Sequence, residues 1–97
     1  MIAEIQVLPR PIGTAEDRYA HVDAAIAVIA TSGLSYEVGA MGTTIEGAPD
    51  RIWPLLREIH EATLAAGAEG CMSMIKVSGT AGDDGPSVQD LVGKHRQ

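Results

Sequence analysis

The sequence predicts an α+β fold in the order β-α-β-β-α-β, with two helices on one face of a four-stranded antiparallel sheet. Three observations predict it. Apolar and polar residues alternate at residues 2–8, 35–47 and 71–77, the period of half-buried strands. Between these stretches, apolar residues recur at steps of three and four, the spacing of one helix face. Pro9, Pro11, Gly33, Gly42 and Gly67 punctuate the joins.

Strand one covers residues 2–8 and is stopped by Pro9 and Pro11. Ala3, Ile5 and Val7 face one side; Ile2, Glu4, Gln6 and Leu8 face the other. Thr14-Ala15-Glu16-Asp17 has the arrangement of a capping box, a hydroxyl followed three residues later by an acid. The first helix follows it and runs to about Thr31. Tyr19, Val22, Ile26 and Ile29 form its apolar stripe, and Gly33 supplies a left-handed stop. Strands two and three are residues 35–41 and 43–47, turning near Gly42. Val38 and Ala40 share a face with Thr43 and Ile45. Glu37, Gly39 and Met41 share the other with Thr44 and Glu46.

The second helix spans about Asp50 to Ala66, with Asp50 as N-cap and Gly67 as the residue past its end. Ile52, Leu55, Leu56, Ile59 and Thr63 form its buried stripe. Pro54, at the edge of the first turn, removes at most one early hydrogen bond. Strand four is Cys71 to Val77. Residues 79–87 are a polar, glycine-rich loop, and residues 88–96 form one or two last helical turns.

This order is the split βαβ, or ferredoxin-like, arrangement. Ala3, Ile5, Val7, Val38, Ala40, Ile45, Ile75 and Val77 are expected to face the helices. The open face would then hold Glu4, Gln6, Glu37, Met41, Thr44, Glu46, Met72, Met74 and Lys76. A solvated face would be more polar, and a core face would lack charge. The mixture suits a second layer, such as another subunit's sheet, with polar groups kept for pairing or for a ligand.

Bulk composition narrows the function classes. The 97 residues make one domain, 1–97, whose modest core favours subunit association. Hydrophobic residues are 45% of the chain, too many for a disordered tail. Phe is absent and the aromatics are Tyr19, Tyr36 and Trp53, so aliphatic residues and methionine must build the core. A net charge of −6 repels a phosphate backbone, which argues against nucleic acid, and weakly attracts cationic ligands. Cys71 is the sole cysteine, so neither an intrachain disulfide nor a CxxC metal site is possible. No apolar run approaches membrane-spanning length. Met1-Ile2-Ala3-Glu4 begins with strand character and not with a signal peptide, so the cytoplasm is the expected compartment.

Glu4, Glu37 and Glu46, brought together by adjacent strands, can hold a cation or take the amino and ring-nitrogen edge of a heterocycle. They can equally pair across strands with Lys76 or stay solvated. The Thr43 and Thr44 hydroxyls can bind a ligand, and threonine is also a good strand former. Tyr36 and Trp53 offer flat faces for a ring or quaternary nitrogen, or pack against the fold. Cys71-Met72-Ser73-Met74 contains soft donors, but Cys71 and Met72 point to opposite faces and no histidine pattern completes a metal site. His21, His60 and His95 share no ligand spacing; a partly buried, hydrogen-bonded His60 is expected. No Ser-His-Asp order, P-loop or dinucleotide-binding glycine pattern is present.

Three segments resemble the thiamine-binding protein family (YkoF-like). These are Met1-Ile2-Ala3-Glu4-Ile5, Tyr36-Glu37-Val38-Gly39 through Met41-Gly42-Thr43-Thr44-Ile45-Glu46-Gly47, and Ile59-His60-Glu61-Ala62. The resemblance covers nearly the whole chain in the same element order. It implies a ferredoxin-like fold, subunits paired through their sheets, commonly into tetramers, and non-catalytic binding of thiamine or its hydroxymethylpyrimidine half. Many relatives carry an arginine and an aspartate just after the last strand. Here Val77 to Asp84 contains no arginine, and Asp90 to Arg96 looks closer to relatives with a glycine-containing loop and a Lys-x-x-Arg-like tail.

Strand alternation and the resemblance together assign ligand binding to Tyr36, Glu37, Thr43, Thr44 and Glu46, with Glu4 and Gln6 as neighbours. The expectation is a cytoplasmic homo-oligomer, dimer or tetramer through the open face, with thiamine as ligand and no cofactor, metal, nucleic acid or membrane partner. An oligomeric interaction module with no thiamine site is the alternative. A small enzyme ranks last, because its only acid/base candidate, His60 with Glu37 or Glu46, would be split across the sheet.

Overall fold

The computed structural model describes residues 1–96. The elements are β1 (Ile2–Arg10), α1 (Ala20–Ala30), β2 (Ser35–Val38), β3 (Thr43–Glu46), α2 (Pro49–Ala65), β4 (Gly70–Ser78) and α3 (Val88–Val92), then a 3₁₀ turn at Gly93–His95. The strands form one antiparallel sheet in the order β2-β3-β1-β4. This is the predicted ferredoxin-like order, with α1 and α2 packed together over one face.

The core lies between that face and the two helices. Ala3, Ile5 and Ile45 from the sheet meet Ala25 and Ile29 of α1 and Ile52, Leu55, Leu56 and Ile59 of α2. The expected α2 stripe is the observed one, with Thr63 fully buried at its end. The helix stops as Gly67 indicates. The Gly67 amide donates to Leu64 O at 3.1 Å and the Ala68 amide to Thr63 O at 3.1 Å, the two bonds of a Schellman motif. Gly67 has φ +124°, and a Cβ there would sit 3.3 Å from His21 Nε2.

Other expectations are corrected. β1 passes through Pro9 to Arg10 and does not stop at Leu8. Beyond Ile5 it has only β4 as ladder partner, so it tolerates a proline as an edge strand does. β4 likewise extends by one residue at each end. Thr14–Asp17 does not start α1. Thr14 Oγ1 accepts from the Asp17 amide at 3.0 Å, but Asp17 O accepts from the Thr14 amide at 2.8 Å, closing a turn before the helix. Preceding chain satisfies the first helical donors instead: the His21 amide donates to Ile12 O at 3.0 Å.

The α1 stripe is rotated from the expected one. His21, Ala25 and Ile29 are buried, Val22 and Ile26 are half-buried, and Tyr19 lies exposed before the helix. Asp50 is not the cap of α2. Ala48 holds that position, Pro49 opens the helix and Asp50 lies in its first turn. Pro54 therefore falls in the second turn and cannot donate to the carbonyl of Asp50, which is exposed to water. β2 ends at Val38, and the Gly39 amide donates to Gly42 O at 2.9 Å to close the hairpin.

Val38, Ala40, Ile75 and Val77 were expected beneath the helices, yet all are exposed. β2 and β4 are the sheet edges, and the two helices seal mainly β1 and β3. The α2–β4 contact falls nearer the start of β4, where His60 Nδ1 lies 2.6 Å from Ser73 Oγ.

Candidate functional site

Strand register places the polar residues of the open face in two rows. Glu37 pairs with Thr44, Thr44 with Glu4, and Glu4 with Lys76, a row that crosses all four strands. Ser35, Glu46, Ile2 and Ser78 form the next row. Neighbouring strands are about 4.8 Å apart, so Glu37 and Glu4 stand about 10 Å apart on either side of Thr44.

The C-terminal segment folds over the hairpin end of these rows. The Met1 ammonium lies 2.9 Å from Asp83 Oδ1, tying the loop after β4 to the start of β1. Ser87 caps α3: its hydroxyl accepts from the Asp90 amide at 3.0 Å, and Asp90 Oδ2 accepts from the Ser87 amide at 2.9 Å. Hydrogen bonding from Ser87, its backbone amide first and its side chain second, holds the Asp90 carboxyl below its usual range. The Val88 amide donates to Glu46 Oε1 at 2.6 Å. Arg96 donates to Glu37 Oε2 at 2.8 Å through one nitrogen and to Gln89 Oε1 at 2.8 Å through another.

Between α3 and the hairpin lies a cleft of about 440 Å³, bordered by Ser35, Tyr36, Glu37, Thr44, Glu46, Val88, Gln89 and Arg96. Four expected residues meet there: Tyr36, Glu37, Thr44 and Glu46. Tyr36 is in register with core-facing Ile45, so it borders the cleft from the outermost strand and is not part of the polar rows. Glu4 borders an adjoining hollow that shares Glu37 and Thr44, and its carboxylate lies 3.5 Å from Lys76 Nζ. Thr43 and Gln6 are not brought to the cleft. Thr43 is buried on the helix side, and both border a separate apolar hollow beneath α1. Trp53 is exposed on α2, across the sheet from the cleft.

Ser35, Val88, Gln89 and Arg96 are the cleft residues that sequence reasoning missed. The first was adjacent to the motif. The other three depended on recognising that Ser87-x-x-Asp90 starts a helix and that the loop before it turns back over the sheet. Among the described residues no group of three or more His, Cys, Asp or Glu could hold a metal. Cys71 Sγ lies 3.9 Å from Ser73 Oγ. No described helix is long and apolar enough to cross a membrane.

The cleft therefore offers two carboxylates, two small hydroxyls, an amide, an aromatic edge and one guanidinium. Such a set suits a ligand with hydrogen-bond donors, a ring acceptor and positive charge.

Comparison with known proteins identifies the family. Residues 3–96 match the sequence profile of a family described as thiamine-binding protein. The chain is 33% identical over 94 residues to a UPF0045 protein of Clostridium perfringens, covering 95% of this chain and 93% of that one. A Bacillus cereus domain of unknown function, DUF77, superposes with a TM-score of 0.84 at 34% identity, over 98% of this chain and 88% of its own. A Thermotoga maritima protein, described as a candidate for thiamine biosynthesis or salvage, superposes with a TM-score of 0.80 at 26% identity, over 98% and 97% of the two chains.

Proposed function

The chain belongs to the thiamine-binding protein family, and from that premise we propose that it binds thiamine, or its hydroxymethylpyrimidine half, in the cleft between the hairpin and α3, without catalysing a reaction. The observation that carries this is the convergence of Glu37, Thr44 and Glu46 on one cleft of about 440 Å³. That volume lies within the range of small-molecule sites. Thiamine has a permanent thiazolium cation and an aminopyrimidine with donor and acceptor edges. A carboxylate suits the cation and the exocyclic amine, and a threonine hydroxyl can donate to a ring nitrogen. The net charge of −6 adds a weak attraction at long range. The thiamine-related description of the Thermotoga relative supports the same reading.

A binding role without chemistry is supported by the separation of acid and base. His60 bonds Ser73 at 2.6 Å on the helix side of the sheet, whereas Glu37 and Glu46 are on the other. The proposal takes the chain as one binding domain that buffers, senses or hands on the vitamin in the cytoplasm as a homo-oligomer. Calorimetric titration with thiamine tests it. Saturable heat is expected; a folded protein giving none at ligand concentrations of roughly a millimolar, a Kd worth only about −4 kcal/mol, would end the proposal.

A further inference from the structure

We infer that the C-terminal tail is a tethered competitor for the cation site: the Arg96 guanidinium occupies Glu37 when the cleft is empty and is displaced when a cationic ligand binds. The inference rests on the thiamine reading of the cleft and goes beyond it by naming how the site is regulated.

The geometry points to competition. Arg96 Nη2 lies 2.8 Å from Glu37 Oε2, the separation of a charge-assisted hydrogen bond. A planar cation beside that carboxylate stands where a thiazolium or aminopyrimidinium would stand. Glu37 has two oxygens, but a second cation next to Arg96 would meet its like charge.

The tail is also built to leave. α3 buries no residue, and its helix is only five residues long. Helices that short do not hold themselves together in water, so tertiary ties must hold it. Among the described residues its polar ties are the Met1 ammonium on Asp83, the Val88 amide on Glu46, and Arg96 on Glu37. The Arg96 and Glu37 side chains retain 42% and 58% of their exposure, so water and salt weaken their pair. Releasing Arg96 breaks one exposed ion pair and its bond to Gln89, and leaves the core untouched.

Displacement and roofing make opposite predictions. If Arg96 competes, Arg96→Ala should tighten thiamine by roughly two- to fivefold, the size of one exposed ion pair. The gain should be smaller for hydroxymethylpyrimidine, which carries no permanent positive charge. In a Glu37→Gln background the gain should vanish, which ties the effect to that pair and not to a general loosening of the tail. Adding thiamine to the unaltered protein should speed amide exchange at residues 93–96 as Arg96 is released, while α3 stays over the cleft. Thiamine binding that is unchanged or weaker in Arg96→Ala would overturn the inference, as would slower exchange in the tail on adding thiamine. If neither ligand binds the unaltered protein or the variant, the thiamine reading itself falls and this inference falls with it. Binding by the unaltered protein with no gain in the variant sinks the inference alone.

Discussion

Glu37 and Glu46 flank the same cleft but are held by different donors, and the difference sets what each substitution does. Glu46 accepts the Val88 amide at 2.6 Å in a half-buried position, so it anchors α3 as well as facing the cleft. Glu37 meets an exposed guanidinium. Glu46→Gln should therefore weaken thiamine binding and also loosen the tail in the absence of ligand. Glu37→Gln should weaken thiamine and free only the Arg96 end, leaving α3 in place. Losing a hydrogen bond to a charged group is worth about 1.5–3 kcal/mol, or roughly ten- to a hundredfold in Kd, measured by calorimetry. Glu61→Gln is the control. Glu61 accepts from Arg57 at 2.8 Å on the outer face of α2, and binding should not change. On the helix side, Ser73→Ala leaves His60 Nδ1 without its partner at 2.6 Å. It should lower stability by about 1–2 kcal/mol in denaturant titration while leaving thiamine affinity intact. Ile45→Ala, at 0% exposure in the core, should cost about 2–5 kcal/mol and mark the scale of a true core loss.

At the scale of elements, one four-residue pattern has different outcomes at two places. Thr14 to Asp17 and Ser87 to Asp90 each place a hydroxyl three residues before an acid. Only the second caps a helix. In the first, the chain folds back so closely that a Cβ on Gly13 would collide with Arg18 O, and the turn closes on itself. A capping pattern describes one turn of chain, and tertiary packing decides whether a second turn follows. Periodicity was more informative where it ran long. The α2 stripe of Ile52, Leu55, Leu56, Ile59 and Thr63 was legible because its seventeen residues give several turns of consistent spacing. The shorter α1 hid its true stripe because a buried His21 and Ala25 look neutral in sequence, whereas Val22 and Ile26 look apolar. The α3 cap also makes a pH prediction. Hydrogen bonds from Ser87 hold the Asp90 carboxyl below its usual range. A depressed carboxyl stabilises the fold above its unfolded value and loses that contribution as pH falls through the folded value. Amide exchange in α3 should therefore accelerate once the pH drops below the ordinary value of 3.8 and on through the depressed one. Asp90→Asn should remove that step.

At the scale of the whole molecule, the sheet is longer than its hairpin. β1 pairs with β3 only from Ile2 to Ile5 but with β4 through Arg10. The tail covers the wide end of the open face, and the narrow end remains bare. Leu8 and Met72 are cross-strand partners there, as are Gln6 and Met74, and Leu8, Met72 and Met74 are 39%, 59% and 57% exposed. The mixed character of this face was readable from strand alternation. Its division was not, because it depends on where a loop of long sequence separation returns. Acids gather beneath the tail, and the bare end holds none on β1 from Gln6 to Pro9 or on β4 from Gly70 to Ile75. A chain of net charge −6 can thus meet a second copy at this end with little like-charge contact. Met72→Asp with Met74→Asp should shift the protein to a smaller species in light scattering without unfolding it. Thiamine affinity then separates two arrangements of the proposed site. Because none of Gln6, Leu8, Met72 and Met74 borders the cleft, affinity should survive dissociation within about twofold, well under the tenfold that 1.4 kcal/mol would give. A much larger loss would mean that a second subunit supplies part of the site.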